Sequence, residues 1–184
     1  PDHCSVIQII ANLYPDMKII CNQKALQIIK QFYLFDIESR VVIINDEDEI
    51  CMGKHTLKFY MAPMVHWPET MITYDKEDKI LFSGDAFGAF GALSGNIFSD
   101  EVNIEKDWID DIRRYYTNIV GKYGLQVQAL LKKAANLDIN MICPLHGPIW
   151  RTDLKYILDK YDKWSRYVAE DNCIMIAYGS MYNN

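Results

Sequence analysis

The chain has 184 residues, of which half are hydrophobic and 24% are charged, with a formal net charge of −6. This length can bury a substantial core and suits one domain, and the ordinary charge content argues against disorder. A negative net charge argues against nucleic acid and anionic membrane as main partners, since neither would attract it. No apolar run approaches the length that spans a bilayer. The five cysteines are an odd number without CxxC spacing, which favours buried free thiols in a reducing compartment and so a soluble cytoplasmic protein.

The first part of the chain predicts helices alternating with short strands. Apolar residues at helical spacing, from Val6 to Leu13, predict a first helix that Pro15 ends. Asn22 is expected to cap the second helix, because its side chain can accept a hydrogen bond from the first helical turn. The acidic stretch "DEDE" after the next buried strand predicts a turn. The predicted elements are helix 5–15, strand 17–21, helix 22–35, strand 40–45 and strand 55–63.

A β-hairpin is predicted in the middle of the chain. An alternating run, Thr70 to Tyr74, is followed by a charged turn, Asp75 to Lys79, and by an apolar run, Ile80 to Phe82. A hairpin brings its two ends together. His66 and Asp85, which flank it, are therefore expected side by side at one rim of a sheet.

The second half again alternates helices with strands. The stretch "GAFGALSG" is too rich in glycine for a regular element. Thr152 is expected to cap a long helix, and the nearly all-apolar run "NCIMIAYG" is typical of a strand that a parallel sheet buries on both faces. The predicted elements are helices 104–124 and 125–138, strand 139–147, helix 152–168 and strand 172–179. The fold class is therefore α/β or α+β with covered sheet faces.

Histidines and aspartates at loop positions predict a metal site. His3, His66 and His146 lie at strand ends or near the N-terminus, with Asp2 next to His3 and Asp85 at the other end of the hairpin from His66. A single histidine at a strand end is more often structural, but a cluster of imidazoles and carboxylates suits zinc or iron rather than calcium or magnesium. The two oxygens of Asp85 could bridge two cations, which could then act on a small molecule between them.

Four stretches carry a resemblance to a known family. "PDHCSV", "VHWPETMITYDKEDKILFSGDAFG", "PLHGPIWR" and "IAYGSMYNN", in this order and spacing, resemble flavodiiron proteins. The resemblance implies a metallo-β-lactamase-like αββα sandwich that holds two irons, followed by a flavodoxin-like domain with FMN. Asp2 matches the aspartate of the first ligand motif and His3 the histidine that commonly follows it. His66 matches the next ligand, Asp85 the bridging carboxylate and His146 the last histidine.

The resemblance also implies that the chain is the interior piece of a longer protein. The His-x-Glu that precedes the aspartate in the family has no counterpart, nor do the strands that lead to it. Residues 1–168 are expected to form the diiron domain and 169–184 to be a linker with the first strand of the flavodoxin-like domain. Ser180, Tyr182 and Asn183 match the start of the loop that binds the FMN phosphate, where a helix N-terminus would follow.

For the parent protein, the resemblance implies reduction of O₂ to water, of NO to N₂O, or of both. Electrons would pass from a rubredoxin-like donor through FMN to the irons, in a head-to-tail homodimer or a tetramer. Tyr115 or Tyr116 would face the cavity as a proton or hydrogen-bond donor, and the isolated chain is expected to be inactive. Two alternatives remain open at this point. One is a zinc hydrolase of the thioesterase or glyoxalase kind, and the other is a non-catalytic fragment.

Overall fold

The computed structural model describes residues 3–169, 171–172 and 174, and it gives them a mixed α/β fold. The helices are α1 (Ile7–Leu13), α2 (Gln23–Phe32), α3 (Ile109–Ile119), α4 (Gly124–Ala134) and α5 (Leu154–Ser165). The strands are β1 (Ile19–Cys21), β2 (Val41–Ile43), β3 (Glu49–Cys51), β4 (Thr56–Met61), β5 (Met71–Asp75), β6 (Ile80–Gly84) and β7 (Met141–Pro144). Shorter turns are 3₁₀ at Ser99–Glu101 and Gly121–Tyr123 and π-helical at Ile104–Trp108. The predicted α/β class is confirmed.

The strands form two sheets. β1 and β2 pair in parallel, and the larger sheet has the order β3-β4-β5-β6-β7. Its strands are antiparallel except for the last pair, β6 and β7. The predicted hairpin is confirmed as β5 and β6, with Asp75 opposite Ile80. Because β6 and β7 run in parallel, their C-terminal ends meet at one rim of the sheet.

The larger sheet and helices α3, α4 and α5 share one hydrophobic core. Side chains from the sheet pack against the inward faces of the three helices, and the burial of each large aliphatic side chain stabilises the fold by about 1.5–3 kcal/mol. The fully buried members include Ile72, Leu81, Ile112, Val127, Leu130, Ile142, Ile157 and Tyr161.

A second, smaller core joins α1, α2, β1 and β2. Its buried members are Ala11, Ile19, Cys21, Leu26, Ile29 and Ile37. The predicted cap of α2 is confirmed, because the Asn22 side chain accepts a hydrogen bond from the backbone N–H of Ala25 at 2.9 Å. These four elements form a unit of their own beside the larger sheet, which we call the small unit.

Some local predictions were wrong. The turn predicted at "DEDE" is confirmed at Asp46 and Glu47, but the last residue of the stretch, Glu49, already belongs to β3, which pairs with β4. The predicted helix 104–124 begins as a π-helical turn and becomes α-helical only at Ile109. Asp153 rather than Thr152 occupies the cap position of α5, with a left-handed backbone (φ 46°) that aspartate tolerates better than threonine.

The cysteines are free thiols, as predicted, in the part of the chain that the structure describes. The expectation that they are buried holds for Cys21 alone among these four. Cys4 and Cys143 are half-buried and Cys51 is exposed, because β3 is an edge strand whose side chains reach solvent.

The C-terminal predictions remain largely outside the described residues. Of the segment 169–184, predicted to begin a flavodoxin-like domain, the structure describes only residues 169, 171, 172 and 174. The boundary at residue 168 and the strand 172–179 therefore stay predictions. Within the described residues, none of the helices has the length and hydrophobicity needed to cross a membrane.

The loop that follows β6 is fixed to the larger core at Phe87, which has a positive φ of 69°. Its backbone N–H donates to the Tyr161 hydroxyl at 2.7 Å, and its carbonyl accepts from Trp150 Nε1 at 3.1 Å. Burial raises the pKa of Tyr161, so this hydroxyl stays neutral. Two contacts distant in sequence thus hold the chain immediately after Asp85.

We predict that Tyr161→Phe destabilises the chain by about 1–3 kcal/mol, because the buried N–H of Phe87 loses its acceptor. Urea unfolding measures the effect. Tyr14→Phe is the control, since Tyr14 is 62% exposed and its hydroxyl can be solvated. Equal unfolding free energies for the two variants would contradict the prediction.

The far end of the hairpin carries a buried carboxylate. Asp75 is 6% exposed, and its two oxygens accept from His55 Nδ1 at 2.7 Å and from the backbone N–H of Glu77 at 3.1 Å. Burial alone would raise the pKa of Asp75, but the bonds from His55 and from the N–H groups of Glu77 and Asp78 outweigh it, and the pKa is lowered.

A carboxyl whose pKa is lower in the folded state stabilises the fold above its unfolded pKa of about 3.9, and that stability is lost as the pH falls through the folded pKa. We therefore predict that His55→Ala is less stable than the wild type at pH 7 but loses less further stability on acidification, because the folded pKa of Asp75 then lies closer to the unfolded one. Urea midpoints between pH 7 and pH 3 measure this, with Lys54→Ala as the control. Parallel curves for wild type and His55→Ala would contradict it.

Candidate metal centre

Four predicted site residues meet at one rim of the larger sheet. Asp85 directly follows β6, and His146 follows the parallel strand β7, so both lie at the C-terminal ends of neighbouring strands. His66 lies in the loop from β4 to β5, which the antiparallel pairing returns to the same rim. His3 reaches the rim from the turn before α1. The topology, rather than proximity in sequence, brings these side chains together.

The carboxylate of Asp85 lies at the centre of the cluster. His3 Nε2 is 3.0 Å and His146 Nε2 is 3.4 Å from Asp85 Oδ1, and His66 Nε2 is 3.1 Å from Asp85 Oδ2. Asp85 itself is 9% exposed, whereas the three imidazoles are more accessible. The two carboxylate oxygens therefore face two separate groups of ring nitrogens.

These donor atoms fit a bound cation. His3 Nε2 and His146 Nε2 lie 3.3 Å apart, and the ligand atoms of His3, Asp85 and His146 all lie within 4.8 Å of one another. Two imidazole nitrogens that face each other at this distance cannot both carry a proton favourably, whereas their lone pairs can share one cation. Neutral imidazole and carboxylate are ligands that zinc and iron accept.

Of the two adjacent tyrosines, Tyr115 is the one at the cluster. Its hydroxyl donates to Asp85 Oδ1 at 3.4 Å, and its ring lies 5.7 Å from that of His146. Tyr116 lies in the core instead, where its ring contacts Tyr161 at 5.0 Å. Neighbouring residues of a helix point about 100° apart, so they cannot share one target.

Burial, with a smaller contribution from the negative charge of an ionised Tyr167, raises the pKa of Tyr116 to about 12. Its hydroxyl is buried and has no hydrogen-bond acceptor among the residues described here. The structure therefore gives Tyr116 the surroundings of a packed core aromatic residue.

Two glycines allow the loops of Asp85 and His146 to lie against each other. Gly147 has a φ of +77°, and a Cβ there would lie 2.8 Å from that of Ala89. A Cβ on Gly88 would lie 3.0 Å from the carbonyl oxygen of His146. The backbone N–H of Ala89 donates to this same carbonyl at 3.3 Å. Larger side chains at either glycine would push His146 away from Asp85.

The cluster opens into a pocket of about 190 Å³. Besides the predicted residues His3, His66 and Asp85, the pocket is lined by Glu69, which follows His66 in sequence and could orient it, and by Cys4, which the sequence analysis did not single out. The position of Cys4 next to His3 was the available signal. Glu69 Oε2 is buried and has no hydrogen-bond partner within the described part of the chain.

The remaining predicted site residues lie outside the described residues. These are the metal ligand Asp2 and the FMN-loop residues Ser180, Tyr182 and Asn183. Their roles stay predictions.

Comparison with known proteins identifies the family. The model of a family described as "ODP family beta lactamase" matches residues 1–147. A nitric oxide reductase of Moorella thermoacetica is 33% identical over 183 residues, which are 98% of this chain and 45% of that protein. The chain spans less than half the length of the curated relatives it matches.

Solved structures agree with the family match. The flavodiiron protein of Giardia intestinalis is 34% identical with a TM-score of 0.74, over 80% of this chain and 36% of that one. The rubredoxin oxygen:oxidoreductase of Desulfovibrio gigas is 26% identical with a TM-score of 0.82, over 90% of this chain and 41% of that one. The predicted resemblance and the metallo-β-lactamase-like fold are confirmed. The chain belongs to the ODP family of beta-lactamase domains and has the fold of the metallo-β-lactamase-like part of flavodiiron proteins.

Proposed function

We propose that the chain is the metal-binding part of a flavodiiron oxidoreductase and holds two iron ions, one at each oxygen of Asp85. The observation that carries the proposal is the approach of three imidazole Nε2 atoms to the two oxygens of one carboxylate, at 3.0 to 3.4 Å. The similarity to a nitric oxide reductase and to flavodiiron structures supports iron as the metal.

Each ligand is assigned to one of the two ions. His146 and His3, with Asp2 as predicted from the family motif, would bind the ion at Asp85 Oδ1, and His66 would bind the ion at Asp85 Oδ2. Bound ferrous ions would supply the electrons and open positions that the reduction of NO to N₂O or of O₂ to water requires. Asp85 would hold both ions at once and offset part of their charge.

Tyr115 is the proposed hydrogen-bond donor of the site. Its hydroxyl already points at Asp85 Oδ1, so it can hold a proton beside the position of a small substrate. Tyr116 was an equal candidate by sequence, but its contacts with Tyr161 and Trp164 favour a packing role. We therefore assign the catalytic role to Tyr115 and Asp85.

Electron supply is proposed from the relatives. They include a flavodiiron protein and a rubredoxin oxygen:oxidoreductase, which supports FMN as cofactor and a rubredoxin-like protein as donor. Ser180, Tyr182 and Asn183 are proposed to begin the FMN phosphate loop. The whole protein would be cytoplasmic and would act as a head-to-tail homodimer or a tetramer, so that one subunit's flavin lies near the other's irons.

A zinc hydrolase of the thioesterase or glyoxalase kind is the second candidate. The specific observation in its favour is the donor set of His3, His146 and Asp85, which suits zinc as well as iron. Thioester hydrolysis by the zinc-loaded chain, set against N₂O formation by the reduced, iron-loaded chain, distinguishes the two.

We predict that Asp85→Asn loses at least one iron per chain, because an amide offers no charge and one good oxygen to two cations. Protein loaded anaerobically with ferrous iron, then dialysed, is analysed by metal mass spectrometry. Asp138→Asn, which changes an exposed carboxylate paired with Lys79, is the control and should keep the wild-type content. Unchanged iron in Asp85→Asn would refute the bridging role.

We further predict no sustained activity for the 184-residue chain, so that the expected inactivity applies to repeated turnover, whereas a single turnover by iron-loaded protein is expected. Iron-loaded, chemically reduced protein should convert two NO, two electrons and two protons to N₂O and water, measured as N₂O by gas chromatography. With reduced rubredoxin and free FMN it should not turn over repeatedly, because FMN free in solution is not held beside the site. Repeated turnover would refute this division of roles.

The same assay separates the two tyrosines. Tyr115→Phe should slow N₂O formation by about 10²-fold, the usual contribution of a placed proton donor. Tyr116→Phe should leave the rate unchanged, because it removes a hydroxyl that makes no hydrogen bond among the described residues. Equal rates for both variants would remove Tyr115 from the mechanism.

A further inference from the structure

The N-terminal end of helix α2 is hydrogen-bonded to the loop that carries His66. Asn22 is 8% exposed, and its side chain makes two kinds of contact. Oδ1 accepts from the backbone N–H of Ala25 and so caps the helix, while Nδ2 donates to the carbonyl oxygen of Glu69 at 2.7 Å. Nδ2 also lies 3.3 Å from Met61 Sδ, at the end of β4. One amide therefore joins the small unit to the rim of the larger sheet.

The C-terminal end of the same helix is hydrogen-bonded to the turn that carries His3. Tyr33 directly follows α2, and its hydroxyl donates to the carbonyl oxygen of Cys4 at 2.8 Å. This carbonyl also accepts from the backbone N–H of Ile7, which begins α1. Burial, followed by the neighbouring Cys4 thiol, raises the pKa of Tyr33, so the hydroxyl keeps the proton that it donates.

The two loops are themselves short and internally bonded. In the His66 loop, the backbone N–H of Trp67 donates to Thr70 Oγ1 at 3.0 Å, and that of Met64 donates to the carbonyl of Trp67 at 2.8 Å. These hydrogen bonds make the turn rigid. The hydrogen bond from Asn22 to the carbonyl of Glu69 therefore positions His66 as well.

The length of α2 fixes the distance between the contact made by Asn22 and the contact made by Tyr33. Its ten residues span about 15 Å, and Leu26 and Ile29 hold it in the core of the small unit. The two histidines that it controls approach opposite oxygens of the same carboxylate, His3 at Oδ1 and His66 at Oδ2. Each end of α2 therefore contacts the segment of one histidine, Asn22 that of His66 and Tyr33 that of His3.

We propose that α2 is a clamp that fixes His3 and His66 on the two sides of Asp85, with Asn22 and Tyr33 as its positioning residues. The proposed clamp concerns the fold without metal, whereas its effect on metal affinity rests on the proposed function.

The test uses variants that each remove one bond. Asn22→Ser keeps an oxygen that can cap α2 and removes the amide donor, and Tyr33→Phe removes only the hydroxyl. Asn103→Ser and Tyr14→Phe are the matched controls. Asn103 caps the π-helical turn in the same manner at an exposed position, and Tyr14 is exposed. Asn22→Asp, which keeps the cap in another form, serves if Asn22→Ser does not fold.

The first measurement is the NMR spectrum of the histidine imidazoles without metal. Asn22→Ser should shift the resonances of His66 more than those of His3, and Tyr33→Phe should do the reverse, while the controls shift neither. Unchanged imidazole spectra in both variants, or equal shifts of both histidines in each, would overturn the clamp.

The second measurement is the affinity for ferrous iron, which should fall about tenfold in each variant, as is usual when an outer-shell partner of a ligand is lost. Selective NMR shifts in a wild type that binds no iron would support the clamp and refute the proposed function. Wild-type iron affinity in both variants, together with unchanged imidazole spectra, would overturn the clamp and leave the proposed function intact.

Discussion

The structure depends on one nearly buried carboxylate. An ionised carboxylate in an apolar surrounding is costly unless hydrogen bonds or cations compensate it. The chain surrounds Asp85 with three imidazoles and the Tyr115 hydroxyl, and each comes from a different segment. The fold around the rim can be understood as the means of bringing these segments to one point.

A rigid frame holds that carboxylate in place. The parallel pair β6–β7 puts Asp85 beside His146, and the glycines behind them allow the two loops to touch. Phe87, two residues after the carboxylate, forms hydrogen bonds through its N–H and its carbonyl to aromatic side chains of the core. Packed elements thus fix the positions of the ligands. A metal site needs such fixed positions, since small displacements reduce the affinity for metal.

The chemistry of the donors alone does not choose the metal. Imidazole nitrogen and carboxylate oxygen serve zinc and iron alike, and hydrolases and oxidoreductases can share one ligand skeleton. The similarity to a nitric oxide reductase and to a rubredoxin oxygen:oxidoreductase, which extends over nearly the whole chain, supports the proposal of iron and oxidoreduction. The arrangement of His3 and His66 on opposite oxygens of Asp85 is the geometry on which the proposal of two ions rather than one is based.

The sequence by itself determined the features that depend on neighbours along the chain. The period-two pattern gave the β5–β6 hairpin, and the hairpin placed His66 near Asp85. The preference of asparagine for caps gave the start of α2 at Asn22. Motif order and spacing gave the family, because ligand residues at fixed intervals are rare by chance.

Only the tertiary structure decided what depends on contacts between distant segments. Sequence could not choose Tyr115 over Tyr116, since the rotation of α3 about its axis is set by packing against the sheet. The bond from Phe87 to Tyr161 spans 74 residues, and the one from Tyr33 to Cys4 spans 29. Such pairs leave no local pattern, because neither residue's neighbours reveal its partner until the fold has brought the two together.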